Sequence, residues 1–230
     1  MRLSALETAV DCLIKSPKYV ASDEVGFNGQ MHRKRIFRDL LSVFGFDAIL
    51  ETGSWIGNTT GYMAETSNLP VYTTELNERF YSLAKSRLSG IDNITFELSD
   101  ARDFLRKMAA SDLAGKKLFI YLDAHWYEDL PLEEEIRIIC SSFEDFVIMV
   151  DDFEVPGDKG YGYDDYGGSK SLTLRQFSRL FRSLDLVALF PSLPSSEESG
   201  YKRGCVVLVK GQQMGKRAAG LDSLSLAGEG

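Results

Sequence analysis

Residues 48–60 read AILETGSWIGNTT, and this stretch decides the fold. Ala48, Ile49 and Leu50 run into an acid, Glu51; Gly53 and Gly57 then punctuate a turn, and Asn58 or Thr59 is placed to cap a helix. A short apolar run that breaks at glycines and restarts at helical spacing reads as strand, turn, helix. Glycines in such a turn let backbone amides, here including that of Ser54, approach a ligand closely, although a strand-to-helix turn also uses glycine for steric reasons alone. A dinucleotide fingerprint spaces its glycines as G-x-G-x-x-G. Here three residues separate them, which suits a less phosphorylated nucleotide.

Downstream of this loop, VYTTE (71–75), ITFEL (94–98), LFIYLD (118–123) and FVIMVD (146–151) alternate with helical stretches. That rhythm predicts a parallel sheet with helices on both faces. It breaks at DLVALF (185–190) and CVVLVK (205–210), which are joined by a segment with two prolines and little helical pattern and are expected to pair as an antiparallel hairpin. The predicted fold is α/β, a Rossmann-like seven-stranded, mostly parallel sheet with that hairpin at its end. Upstream, apolar spacing predicts helices over 3–15 and 30–45. Residues 1–45 are read as a helical cover belonging to the same domain, 46–210 as the sheet domain, and the glycine-rich 211–230 as a mobile tail.

The chain has 230 residues, 44% of them hydrophobic, enough for one sizeable core. A formal net charge of −8 argues against a surface built to neutralise phosphate backbones, so a small molecule is the expected partner rather than nucleic acid, and oligomeric state is left open. Cys12, Cys140 and Cys205 are odd in number and widely spaced, which suggests neither a disulfide framework nor a zinc cluster and fits a reducing cytoplasm. No apolar run approaches the roughly 20 residues that span a bilayer, and the first sixteen residues lack a signal-peptide pattern.

The second predicted strand ends at Glu75, where a carboxylate can accept both hydroxyls of a ribose. Ser99 and Asp100 follow the third strand; Asp100 is placed to meet an adenine amino group or, equally, to cap the helix that begins at Ala101. The fourth strand ends in Asp123-Ala-His125 and the fifth in Asp151-Asp152. Both belong to the C-terminal edge of the sheet, where open α/β sheets bind ligands. Three aspartates suit a hard divalent cation such as Mg²⁺, and His125 has the pKa of a general base. Neighbours in an extended strand face opposite sides, so Asp151 and Asp152 converge only if the chain curls after Val150. Trp126 and Tyr127 read as packing residues. The segment GDKGYGYDDYGGSKSL (157–172), with Asp164 and Asp165, has the character of a lid or of an ordinary loop, and NGQMHRKR (28–35) concentrates positive charge ahead of the first strand.

The order E-x-G-x-x-x-G after strand one, an acid ending strand two, an acid after strand three and a terminal antiparallel pair resembles the class I S-adenosylmethionine-dependent methyltransferases over roughly residues 45–210. The resemblance implies that Glu51, Gly53, Ser54, Gly57, Asn58, Thr59, Glu75, Ser99, Asp100 and Asp123 surround the cofactor. The acids after strands four and five further resemble the metal-dependent macrocin O-methyltransferase and cephalosporin hydroxylase-like branch, which implies Mg²⁺ on Asp123, Asp151 and Asp152. The expected activity is Mg²⁺-assisted O-methylation of a small polar hydroxylated metabolite, with His125 as base and Asp123 beside it. A metal-dependent hydrolase using the same aspartates and a catalytically silent cofactor-binding module are the alternatives.

Overall fold

A computed structural model describes residues 26–125, 129–168 and 170–227. The helix expected over 3–15, Cys12, Trp126 and Tyr127 lie outside the described residues.

The predicted alternation is present. Strands β1 (Ala48–Thr52), β2 (Val71–Glu75), β3 (Ile94–Leu98), β4 (Lys117–Leu122) and β5 (Asp145–Asp151) are separated by helices α2 (Asn58–Ser67), α3 (Glu78–Arg87), α4 (Ala101–Ala109) and α5 (Leu132–Ser142), with α1 (Met31–Phe44) ahead of them. After α6 (Leu174–Ser183), strands β6 (Leu186–Pro191) and β7 (Cys205–Lys210) form the expected antiparallel pair. The sheet order is β3-β2-β1-β4-β5-β7-β6-β8, and β1 to β5 are mutually parallel wherever they pair. Chain direction across the sheet reverses between β1 and β4, the switch point at which open α/β sheets take ligands.

The strand count is eight rather than seven because of the residues after Lys210. Expected as a mobile tail, they form α7 (Gly211–Ala219) and β8 (Leu224–Leu226), the latter antiparallel to β6. Ala218 and Leu224 are buried, and Gly215 lies so close to β6 that an added Cβ would sit 3.0 Å from Val187. Small residues favour looseness in an isolated chain; here they allow a helix to lie tightly on a strand.

Alternate residues of the central strands feed two cores. Ile49, Phe119, Tyr121, Val147 and Met149 face α1, α2 and α7, where Ile36, Phe37, Leu40, Met63 and Ala218 cover them. Leu50, Ile120, Leu122, Ile148 and Val150 face α4, α5 and α6, against Phe104, Leu105, Ile136, Ile139, Phe177 and Phe181. Local signals agree with these placements: Asp100 caps α4 and Thr173 caps α6 through side-chain acceptors, and Gly45 closes α1 at φ 65°. Register brings the strand ends into line, Thr52 beside Thr74 and Leu122, and Leu122 beside Val150. The residues that follow β1, β2, β4 and β5 therefore share one edge. Among the described residues no helix is long and apolar enough to cross a membrane.

Candidate active site

The loop after β1 passes directly over the end of β4. Gly53 has φ +85°, and a Cβ there would lie 2.3 Å from the carbonyl oxygen of Asp123; Gly57, also at +85°, would meet Leu88. Both glycines are thus required by packing and by a left-handed backbone. Gly57 itself occupies the N-cap of α2 with no side-chain cap, so neither Asn58 nor Thr59 caps that helix as the sequence suggested. Thr59 instead accepts the Phe27 N–H at 3.1 Å, from a turn (Gly26–Gly29) that carries two consecutive left-handed residues, Phe27 and Asn28. Asn28, Gly53, Ser54, Trp55, Asn58, Thr59 and Asp123 line a small pocket under this loop. Ser54 Oγ is buried in it without a hydrogen-bond partner among the described residues.

Glu51 lies beneath the loop rather than in the pocket. It is buried, and one oxygen accepts Thr60 Oγ1 at 2.5 Å and Thr73 Oγ1 at 2.7 Å. Burial pushes its carboxyl up to about 7, the two hydroxyls opposing the rise. Glu75 is not among the residues lining the pocket but accepts the backbone N–H groups of Trp55, which is, and of Asn77, both at 2.8 Å, which ties the end of β2 to the glycine loop. Its pKa is raised by partial burial, with those amides working the other way. Asp100 fulfils the capping alternative: it accepts Arg102 N at 2.8 Å and pairs with the Arg102 guanidinium, which holds its carboxyl below the usual range. Ser99 offers its carbonyl to Thr74 Oγ1 at 2.8 Å.

The two aspartates that end β5 part company. Asp151 keeps the strand's alternation and points into the core beneath α1. There one oxygen pairs with Arg33, and the other accepts Tyr121 Oη at 2.5 Å and Asn28 Nδ2 at 3.4 Å. Burial alone would raise its pKa, but the guanidinium, with the Tyr121 hydroxyl and the Asp152 N–H, takes it below the usual carboxylate range. Asp152 adopts φ 54°, a left-handed backbone that ends the strand, and its carboxylate meets Arg203 and lies 4.0 Å from His125 Nε2. The chain does curl at Asp152, and the two carboxylates take different partners, Arg33 and Tyr121 for Asp151 and Arg203 for Asp152.

Among the described residues, the donor atoms of Asp123, His125 and Asp152 all lie within 4.8 Å of one another. Asp151, the third expected ligand, lies close enough to raise the pKa of Asp123 but has its oxygens engaged by Arg33 and Tyr121. His125 Nε2 lies 4.0 Å from Asp123 Oδ1, 4.0 Å from Asp152 Oδ2 and 3.9 Å from Asp164 Oδ2. The histidine side chain is only 2% exposed, yet among the described residues neither ring nitrogen has a hydrogen-bond partner. Burial lowers its pKa despite the neighbouring acids, so the ring is neutral near neutral pH. Burial followed by repulsion from Asp151 pushes Asp152 up to about 7, and Asp123 is driven well above the carboxylate range for the same reasons.

Sequence reasoning passed over Arg203 and noticed Arg33 only as part of the positively charged run at 28–35. Arg203 reaches Asp152 and Asp164 from the start of β7, and the 157–172 loop is fastened beside it by Gly162 N to the Lys202 carbonyl at 2.8 Å and Asp164 N to the Asp152 carbonyl at 2.9 Å. Tyr166 Oη also bonds Asp164. Arg33 is buried on α1, and besides Asp151 it donates to the carbonyls of Arg203 and Gly204. A signal for it existed: Arg33, Ile36, Phe37, Leu40 and Phe44 form one helical stripe, and a charge on an apolar stripe requires a buried partner.

No protein-family model matches the chain, and no curated protein matches it in sequence. Solved structures do match in shape. The O-methyltransferase from Bacillus cereus in complex with S-adenosylhomocysteine is 19% identical with a TM-score of 0.60, over 91% of this chain and 92% of that one. TomG from Streptomyces achromogenes, an O-methyltransferase involved in tomaymycin synthesis and solved with S-adenosylmethionine, is 17% identical with a TM-score of 0.58, over 92% of each chain. The chain has the fold of the class I S-adenosylmethionine-dependent methyltransferases.

Proposed function

We propose that the protein is an S-adenosylmethionine-dependent O-methyltransferase acting on a small polar hydroxylated molecule with help from a divalent cation. The observation that carries this reading is the double position of Asp123, which lines the pocket under the glycine loop and also belongs to the acid and histidine cluster. A methyl donor in that pocket and an acceptor at the cluster would then be neighbours. Similarity in fold to O-methyltransferases solved with this cofactor or its product supports the same reading.

The residues fit the donor. Ser54 Oγ is a buried polar atom without a hydrogen-bond partner among the described residues, and Glu75, bonded to the lining residue Trp55, keeps lone pairs free for ribose hydroxyls, since a carboxylate accepts about four hydrogen bonds. S-adenosylmethionine supplies an electrophilic methyl group. Transfer forms an O–CH₃ bond and breaks the S–CH₃ bond, sulfur keeps the electron pair, and the acceptor must lose its proton.

The residues also fit a cation. Inner oxygens of Asp123 and Asp152 face the same point as His125 Nε2. A divalent ion there would lower the pKa of an acceptor hydroxyl. Asp164, on the loop that closes this side of the site, is the carboxylate placed to take the proton, while Arg203 keeps it and Asp152 in position. His125 has its side chain buried among carboxylates, which leaves it little reach toward an acceptor as the expected free base.

Isothermal titration with S-adenosylhomocysteine tests the proposal. Binding is expected, and Glu75→Gln should weaken it by about tenfold, the order lost with a hydrogen bond to a charged group. Absence of any binding heat overturns the methyltransferase reading.

A further inference from the structure

We infer that His125 is itself a metal ligand, completing with Asp123 and Asp152 a site for a divalent transition ion such as Mn²⁺, Fe²⁺ or Co²⁺ in preference to the Mg²⁺ that the sequence suggested. The inference deepens the proposed function by naming the class of ion, and it rests on that reading only for the ion's role in methyl transfer.

Two observations point the same way independently. First, three donor atoms converge: His125 Nε2 is 4.0 Å from both Asp123 Oδ1 and Asp152 Oδ2. These separations exceed a hydrogen bond, for which N···O is at most about 3.2 Å. Donors bonded at about 2.1 Å to one ion at right angles lie about 3 Å apart, so side-chain shifts of about 1 Å would close these three on an ion. Second, the imidazole is buried with both nitrogens unpartnered among the described residues. A buried polar group normally finds a partner, and a hydroxyl or amide there would have been simpler than a ring aimed at carboxylates.

The surroundings hold the donors for this use. Asp152 is turned by its left-handed backbone, and its outer oxygen is bound by Arg203, which leaves Oδ2 facing inward. Asp164 Oδ2 also faces Nε2 at 3.9 Å but accepts from Tyr166, so it stands beside the donor set rather than in it. Asp151, which an all-oxygen site would have needed, is committed to Arg33 and Tyr121. A nitrogen and two oxygens suit first-row transition ions, whereas Mg²⁺ prefers oxygen throughout.

The test uses the full chain stripped of metal by a chelator and then titrated separately with MnCl₂, CoCl₂ and MgCl₂. One Mn²⁺ per chain is expected, bound at least tenfold more tightly than Mg²⁺. Pulsed electron paramagnetic resonance of the Mn²⁺ form should show coupling to an imidazole ¹⁴N that disappears in His125→Ala. His125→Asp, which makes the donors all oxygen, should shrink the preference for Mn²⁺ over Mg²⁺ by tenfold or more. Absence of ¹⁴N coupling in the unaltered protein overturns the inference, and this reading holds even if a His125 variant fails to fold. Equal affinity for Mg²⁺ and Mn²⁺, or an Asp151→Asn change that weakens metal as much as Asp152→Asn, also overturns it. S-adenosylhomocysteine binding, measured without metal, separates the outcomes: its failure counts against methyl transfer and leaves the metal result standing.

Discussion

Asp151 and Asp152 are neighbours in sequence and opposites in circumstance. Asp151 is buried with every need met, by Arg33, Tyr121, Asn28 and the Asp152 N–H. Across the strand end, Asp152 joins two other carboxylates around an imidazole whose nitrogens have no partner among the described residues. A buried charge that is fully paired is part of the scaffold; one held in place but left facing unsatisfied donors is available for chemistry. On the proposed reading, Asp151 serves stability and Asp152 serves function.

Removing Arg33 should break the scaffold side hardest. Arg33→Met leaves Asp151 buried and unpaired, a change that typically costs about 3–5 kcal/mol. Urea unfolding should show that loss, and adding Asp151→Leu should recover most of it, because replacing both members of a buried pair by apolar groups is far less costly than stranding one. A loss below about 1 kcal/mol in Arg33→Met would erase the distinction between the two aspartates.

Glu135 offers an intermediate case, fully buried on α5 with one oxygen accepting Thr52 Oγ1 at 2.8 Å and the other without a partner. Burial raises its carboxyl from 4.5 to about 7, so the native state holds a proton that the unfolded chain has released between those values. Stability from this group is therefore lost as pH rises through that window. A rise of about 2.5 at about 1.4 kcal/mol per unit sets an upper scale near 3.5 kcal/mol. Glu135→Gln should match the unaltered protein in denaturant unfolding at pH 4 and exceed it by about 2 kcal/mol at pH 8. Equal stability of the two at pH 8 would show that the orphan oxygen has found a partner.

The smallest stability effect belongs to the functional side. Asp152→Asn should change unfolding free energy by no more than about 1 kcal/mol, since it relieves repulsion from Asp151 while weakening the bond to Arg203. Metal affinity measured on the same sample should fall tenfold or more. A large loss of stability with unchanged metal binding would invert the assignment of the two sides.

Much of this was legible without coordinates. Strand and helix periods, glycines after the first strand and acids at strand ends predicted a parallel sheet with its ligands at one edge, because those signals are local and depend on side-chain spacing along the chain. The glycine-rich segment after Lys210 was misread because its ordering comes from close contact with Val187 and pairing with β6, neither of which leaves a local pattern. Asp100 showed both of its readings in the sequence, and only the position of Arg102 selected the cap.

The sequence alone determined that carboxylates and a histidine would gather at the C-terminal edge of the sheet beside a glycine loop. It could not determine which carboxylates would face the histidine. That depended on a single left-handed residue at Asp152 and on Arg33, 118 positions away, claiming Asp151 from across the core. Adjacent side chains at a strand end share a composition but not a direction, and direction is set by the backbone turn and by whichever distant charge can be buried with them.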